Sequence, residues 1–219
     1  MIGQLSSGIA HEIRNPLNFL SLSIAHIKER ILEERMKDRD DLLRLLDDLI
    51  REIHRVNELI HNFLFLGKPI RLNREWVATE ARVGEVLQAV RDKVRAGIEV
   101  KVRCLEDGRG IYCDREYMRL CLVNLLINAV QSIPDGGIIT IQCGVEGSSS
   151  FVSVTDTGEG IDGQEIEKIF EPYYSTKKIG IGLGLTITKR FVEEHGGVIT
   201  MESEKGKGTT ITLKVPHEA

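Results

Sequence analysis

Hydrophobic positions in the first third of the chain recur at helical spacing. Ile13, Leu17, Leu20, Ile24, Ile27 and Ile31 fall on one stripe of a helix. After a short polar stretch around Lys37 to Asp41, a second series begins, in which Leu42, Leu46, Leu49, Ile53, Val56, Ile60 and Phe63 alternate steps of four and three, a heptad seam. Two antiparallel helices are predicted. Such a hairpin has too little core alone, and pairing with a second copy as a four-helix bundle covers both stripes. Gly67, Lys68 and Pro69 end the helical pattern. The boundary gives a helical hairpin over 1–67 and a second domain over 68–219.

Beyond the boundary the pattern mixes both periods. Strands are predicted near Ile70 to Val77, Ile98 to Cys104 and Ile111 to Cys113, with a helix near Val83 to Arg95. Asp114 is a natural N-cap for a helix running to about Ile133. A hairpin follows, Ile138 to Val145 and Phe151 to Asp156, turning through the glycine and serine run between them. Gly163 to Phe170 is predicted as a short helix and Leu183 to His195 as a longer one, before closing strands at Val198 to Ser203 and Thr209 to Val215. Strands outnumber helices on one sheet, which predicts an α/β sandwich of two layers. The chain has no internal repeat and no segment of low complexity.

Composition excludes several classes of function. A net charge of -4 leaves no basic stripe for nucleic acid, and aromatic residues at 5% are too sparse for base-stacking platforms. Cys104, Cys113, Cys121 and Cys143 form no C-x-x-C pair, so reduced, packing thiols and a cytoplasmic setting are expected. No apolar run is long enough to span a bilayer and no signal peptide opens the chain. The polypeptide is expected to be soluble as given. Met1 lies only ten residues before His11, inside what should already be helix, so the chain is expected to be the excised end of something longer.

The most informative chemistry lies in HEIRNPL, from His11 to Leu17. At about 100° per residue, His11 and Asn15 fall roughly 140° or more from the centre of the apolar stripe, so both face water. Four residues apart, they share a face. The carboxylate of Glu12 can orient an imidazole nitrogen of His11 or take its proton. Pro16 lacks an N–H and crowds the carbonyl of Glu12, which predicts a bend just after the histidine. This is the kit of a phosphoryl-accepting histidine. His26, His54, His61, His195 and His217 have no such company and are expected to be ordinary packed or surface residues. Zinc is excluded here, since HEIRN lacks the second histidine of H-E-x-x-H.

Glycines cluster toward the C-terminus as Gly158 and Gly160, then Gly180, Gly182 and Gly184, then Gly206 and Gly208. Loops of this kind let backbone N–H groups approach a ligand, usually an anion, although each cluster alone is better explained by ordinary turns. GIGLGL is no dinucleotide fingerprint, because it follows no strand of a βαβ unit. A phosphate loop ending in G-K-[ST] is missing as well.

The segments HEIRNPL, NLLINAVQS, DTGEGI, IFEPYYSTK and GIGLGL, in this order, resemble the H, N, G1, F and G2 boxes of two-component sensor histidine kinases. The match runs from about Gly3 to Val215. The resemblance implies a dimeric hairpin followed by a two-layer α/β ATP-binding domain of the Bergerat type, with ATP and Mg2+ as cofactors. It implies that His11 takes the γ-phosphoryl group and that Glu12 is the base or orienting carboxylate. Asn128 matches the magnesium ligand, and Asn124, one turn earlier on the same helix face, lies beside the phosphates. Asp156 matches the aspartate that bonds the adenine amino group, with Gly158 and Gly160 letting the base approach. Lys177 is the first candidate for a phosphate contact and Lys178 the second. Gly180 belongs to the same loop, and Gly182 and Gly184 should open a helix whose N-terminus faces the phosphates. A response-regulator aspartate is the implied acceptor, and a membrane enters only through a sensor region preceding this chain.

Two positions depart from many family members, Gln131 where a basic or histidine side chain is common and Ile181 where threonine is common. With the short loop that carries Lys177, Lys178 and Gly180, Gln131 resembles the nitrogen-regulation branch. Gyrase, mismatch-repair and heat-shock ATPases share the nucleotide-binding superfamily but carry a water-activating glutamate at the position of Asn124. An amide cannot serve as general base, so attack by water is disfavoured and the phosphoryl group is kept for His11. Phosphoryl transfer asks for positioning and charge neutralisation, which amides and glycine loops supply. Asn15, on the face of His11, could hold water against a regulator's phosphorylated aspartate, which implies phosphatase activity.

Overall fold

The computed structural model describes residues 16–25, 27, 43–53, 56, 71–104, 110–174 and 182–217. The chain divides into two compact units, Met1–Pro69 and Ile70–Ala219. In the first, residues 16–25 and 43–53 are helical, as are 27 and 56. Leu49 and Val56 of the heptad seam are buried. Leu17, Ile24, Leu46 and Ile53 of the two stripes keep 40% or more of their surface exposed in the single chain. Among the described residues no helix is long and apolar enough to cross a membrane.

The second unit runs β1 (Arg74–Val77), α1 (Thr79–Val90), β2 (Ile98–Cys104), β3 (Ile111–Asp114), α2 (Arg115–Ser132), β4 (Gly137–Glu146), β5 (Ser149–Asp156), α3 (Gly184–Glu194), β6 (Val198–Glu204) and β7 (Gly208–Pro216). Five strands form the main sheet in the order β2-β4-β5-β7-β6. The β2–β4 pair is parallel and the others antiparallel. Contrary to the expectation of one sheet, β1 and β3 leave it and pair with each other, Trp76 opposite Tyr112. The predicted helix at Gly163 to Phe170 is also corrected to turns ending in a single 3-10 turn, Lys168–Phe170. Only Ile169 of that turn is buried, so it has no apolar stripe to hold a helix against the core.

Periodicity explains the layers. Along α2, Met118, Cys121, Leu122, Leu125, Leu126, Ala129 and Val130 repeat at helical spacing and are buried. Ile187, Phe191 and Val192 do the same on α3. Alternate strand residues Ile139, Ile141 and Cys143, Val152 and Val154, and Ile211, Leu213 and Val215 complete the cluster. Each such aliphatic side chain contributes about 1.5–3 kcal/mol on full burial.

The cysteines behave in two ways. Cys113 and Cys121 are free and buried, as expected of packing thiols. Burial, with the charges of Asp114 and Glu75 adding to it, pushes the Cys113 thiol up to about 12, so it stays protonated and unreactive. Cys104 and Cys143 correct the expectation of four reduced thiols, because they form a disulfide with a Cα separation of 4.5 Å. They stand directly opposite in the β2–β4 register, a pairing that spacing along the chain cannot reveal.

Candidate functional site

The site is framed by two helices and the ends of three strands. Asp114 caps α2, as the sequence predicts. Its Oδ1 accepts from the N–H groups of Glu116 (3.1 Å) and Tyr117 (3.2 Å), while Oδ2 accepts from Asn73 (2.8 Å). From this fixed start, α2 carries Asn124 and, one turn on, Asn128, both half-buried. The Asn124 amide donates to the carbonyl of Gly184 (3.2 Å), which also accepts from the Thr188 hydroxyl (2.8 Å). Asn124 therefore joins α2 to the first residue of α3. Gln131 lies on the exposed side of α2.

Asp156 ends the apolar alternation of β5. Val152, Val154 and Asp156 point to one face, so the carboxylate is the polar end of an inward stripe, and it is buried. Its Oδ1 accepts from the Gly158 N–H (2.8 Å) in an Asx turn. Ile139 and Thr209 are its register partners on β4 and β7. Thr209 is buried, shares a 2.8 Å hydrogen bond with Ser203, and places a hydroxyl-bearing side chain beside the carboxylate. Sequence reasoning missed it. Its signal is the alternation of β7, in which Thr209, Ile211, Leu213 and Val215 share a face.

The glycines after Asp156 serve the chain's own packing. A Cβ on Gly158 would lie 2.4 Å from the Ser132 carbonyl oxygen, and one on Gly160, whose φ is +62°, would lie 2.0 Å from that of Glu204. The same loop is tied down by Glu159 N–H to Ser132 (3.0 Å), Gly206 N–H to Glu159 (2.7 Å) and Ile161 N–H to the Ser203 hydroxyl (2.8 Å). The loop is thus held between the end of α2 and the β6–β7 turn.

Gly182 and Gly184 lie at the entry to α3. Tyr173, with φ of 67°, donates its N–H to the Gly182 carbonyl (3.1 Å), and the Thr186 hydroxyl donates to that of Phe170 (3.1 Å). The N-cap of α3 is Leu183, which has no side-chain group to cap the first turn. The leading N–H groups of the helix suit an anion such as phosphate. Together with a buried carboxylate able to accept from an amino group, this donor set fits a purine nucleotide with phosphates. Among the described residues no group of three or more His, Cys, Asp or Glu could hold a metal ion. Asn128 adds one amide oxygen on the same helix, a ligand type that magnesium accepts beside phosphates and water. His11, Glu12, Asn15, Lys177, Lys178, Gly180 and Ile181 lie outside the described residues.

Residues 113–219 match the family described as histidine kinase-, DNA gyrase B-, and HSP90-like ATPase, and residues 1–70 match the His Kinase A (phospho-acceptor) domain. Sporulation kinase D of Bacillus subtilis (strain 168) is 33% identical over 221 residues, covering 100% of this chain and 42% of that protein. Sensor histidine kinase ZraS of Escherichia coli (strain K12) is 34% identical over 216 residues, covering 98% and 45%. The chain thus spans less than half the length of these curated relatives. The solved structure of histidine kinase ThkA in complex with response regulator protein TrrA superposes with a TM-score of 0.81 at 25% identity, covering 99% of this chain and 62% of that one. Full-length ShkA in complex with AMPPNP gives 0.73 at 26%, covering 99% and 46%. The two matched segments, the relatives and the ordered boxes make this chain a member of the two-component sensor histidine kinases, the part of such a protein that carries its phospho-acceptor and ATP-binding domains.

Proposed function

We propose that this chain phosphorylates itself on His11 from ATP and passes the phosphoryl group to an aspartate of a response regulator. The observation that supports the ATP half is the buried Asp156 carboxylate, whose loop is tied to Ser132 at the end of α2, the helix that Asn124 joins to the start of α3. The acceptor half rests on the phospho-acceptor match over residues 1–70 and on HEIRNPL within it. In this assignment residues 1–67 are the dimerisation and phosphotransfer hairpin and 68–219 the catalytic domain. The exposed stripe residues Leu17, Ile24, Leu46 and Ile53 support pairing with a second copy, which would cover them.

Asp156 accepts from the adenine amino group, and Gly158 and Gly160 hold its loop against Ser132 and Glu204 while the base lies over them. Asn128 would hold the magnesium ion, which supplies charge neutralisation on the phosphates. Asn124 stands where hydrolases of the superfamily carry their glutamate, and its amide is spent on the Gly184 carbonyl, so it orients α3 and activates no water. Gly180, Gly182, Gly184 and Lys177 or Lys178 surround the phosphates. Glu12 orients or deprotonates the His11 imidazole, which is mostly neutral at neutral pH and therefore nucleophilic. Asn15 holds water for dephosphorylation of the regulator, a second activity of the same face.

The complex of ThkA with TrrA supports a regulator as the partner, and that of ShkA with AMPPNP supports an adenine nucleotide as the donor. Nucleic acid has no place in this scheme, and attachment to a membrane would come through a sensor region preceding residue 1. Transfer profiling tests the proposal. Phosphorylated chain is mixed with a panel of purified regulators, and label is expected to move rapidly to a receiver aspartate of at least one. Label that stays on the chain with every regulator would refute the transfer step.

A further inference from the structure

His195 follows α3 directly, and its side chain is fully buried. Its Nδ1 lies 2.8 Å from the Phe191 carbonyl oxygen and its Nε2 lies 3.0 Å from the Asp114 backbone nitrogen. A carbonyl can only accept and a backbone N–H can only donate. One species satisfies both contacts, the neutral imidazole protonated on Nδ1. The Asp114 N–H belongs to the N-cap of α2, so the ring links the end of α3 to the start of α2.

At the other end of this helix pair, Asn124 links α2 to Gly184 at the start of α3. Between the two links the contact is mostly apolar and aromatic, with Cys121, Leu122, Ile187 and Phe191 buried and the rings of Tyr117 and Phe191 4.8 Å apart; the exception is a hydrogen bond between the Cys121 and Thr188 side chains. Apolar packing is non-directional and fixes the axial position of one helix on another weakly, while a slip of one residue moves a helix by about 1.5 Å. Two directional bonds, one at each end, join the weak thiol bond of Cys121 with Thr188 in setting that register.

We propose that His195 is a positioning residue of the nucleotide site, holding α3 in the register that places Gly184 and its leading N–H groups against Asn124. The inference rests on the nucleotide reading of the α2–α3 frame. Protonation of the ring would put an Nε2–H against the Asp114 N–H, two donors facing each other without an acceptor, and the link would open. Burial is the main influence opposing that proton, with Arg74 of β1 acting the same way, while the carboxylates of Asp114 and Glu194 and the bond to Phe191 favour it. The balance holds the ring's pKa below the ordinary 6.5, so the link is made at neutral pH and opens on the acid side.

The test uses the whole chain and three forms, wild type, His195→Phe and His195→Gln. A fluorescent ATP analogue is titrated with each from neutral pH to well below 6.5, and amide hydrogen exchange is followed without nucleotide. Phe keeps the ring and loses both bonds, so binding about ten-fold weaker than wild type is expected at neutral pH, unchanged with pH in the variant and matched by wild type on the acid side. Gln offers an oxygen to the Asp114 N–H and does not titrate. Near wild-type affinity at neutral pH is expected for it, without the acid-side loss that wild type shows. In the exchange experiment, His195→Phe should speed exchange both at Asp114 and in the first turn of α3, at Leu185 and Thr186. Wild-type affinity and pH profile in a folded His195→Phe chain, an acid-side loss retained by His195→Gln, or faster exchange confined to Asp114 would each overturn the positioning role. A wild-type chain that binds no analogue would overturn the nucleotide reading instead, and the exchange result would still decide the link.

Discussion

Gly160→Ala and Gly147→Ala form a matched pair that tests how the loop after Asp156 is held. Both glycines have φ of +62°, so a new Cβ meets the same left-handed penalty of about 1–2 kcal/mol, partly offset by the lower entropy of the unfolded chain. Their surroundings differ. At Gly147 nothing lies within 4 Å of the added carbon, whereas at Gly160 it would sit 2.0 Å from the Glu204 carbonyl oxygen and 2.7 Å from its carbon. These are backbone atoms of the β6–β7 hairpin and cannot rotate away. Relief requires the loop to lift, losing the bonds from Gly206 N–H to Glu159 and from Ile161 N–H to Ser203, at about 1 kcal/mol each. Gly160→Ala should therefore cost about 3 kcal/mol and Gly147→Ala about 1 kcal/mol or less. At roughly 2–4 °C per kcal/mol for a domain of this size, the thermal midpoints followed by circular dichroism should fall by about 10 °C and by about 2–4 °C. ATP-analogue affinity should fall with Gly160→Ala alone, since Asp156 shares its loop. Equal shifts in the two variants would refute the account of the loop as wedged between α2 and β6–β7.

Other substitutions separate the proposed roles. Asp156→Asn keeps an oxygen for the Gly158 N–H, so the thermal midpoint should hardly move while analogue affinity falls about ten-fold or more through loss of a charge-assisted bond; unchanged affinity would remove Asp156 from adenine recognition. Asn128→Asp should change analogue binding differently with and without magnesium, and an equal loss in both titrations would argue against a metal ligand. Asn15→Ala should retain most autophosphorylation and slow regulator dephosphorylation, with Glu12→Ala doing the reverse; parallel losses of both rates in both variants would contradict the division of labour.

Much of the fold follows from local pattern. The Asp114 cap needs only an acceptor before a helical stripe, and the β4–β5 hairpin only two alternating runs around Gly147 and Ser148. The α3 helix likewise follows from its amphipathic spacing. What escaped depends on pairing across distance. Neither the departure of β1 to join β3 nor the meeting of Cys104 with Cys143 has a signature in either segment, since each is set by register between strands far apart in sequence. His195 was legible only as an ordinary packed or surface histidine, and its bond to Asp114 was not, because the partner lies 81 residues away. The site residues came from the ordered boxes. Spacing alone could not have separated Asn124 from plain helix surface, nor shown that Gly158 and Gly160 give room to the chain's own carbonyls.

The most direct test of the account is the fate of the γ-phosphoryl group. Wild-type chain and His11→Gln are incubated with γ-labelled ATP and magnesium, analogue affinity is measured on both, and the label is challenged with acid and with base. Wild type should acquire acid-labile, base-stable label, the signature of a phosphohistidine, and His11→Gln should acquire none while binding the analogue as well as wild type. Comparable labelling of the His11→Gln chain, or label on wild type that survives acid, would contradict His11 as the acceptor.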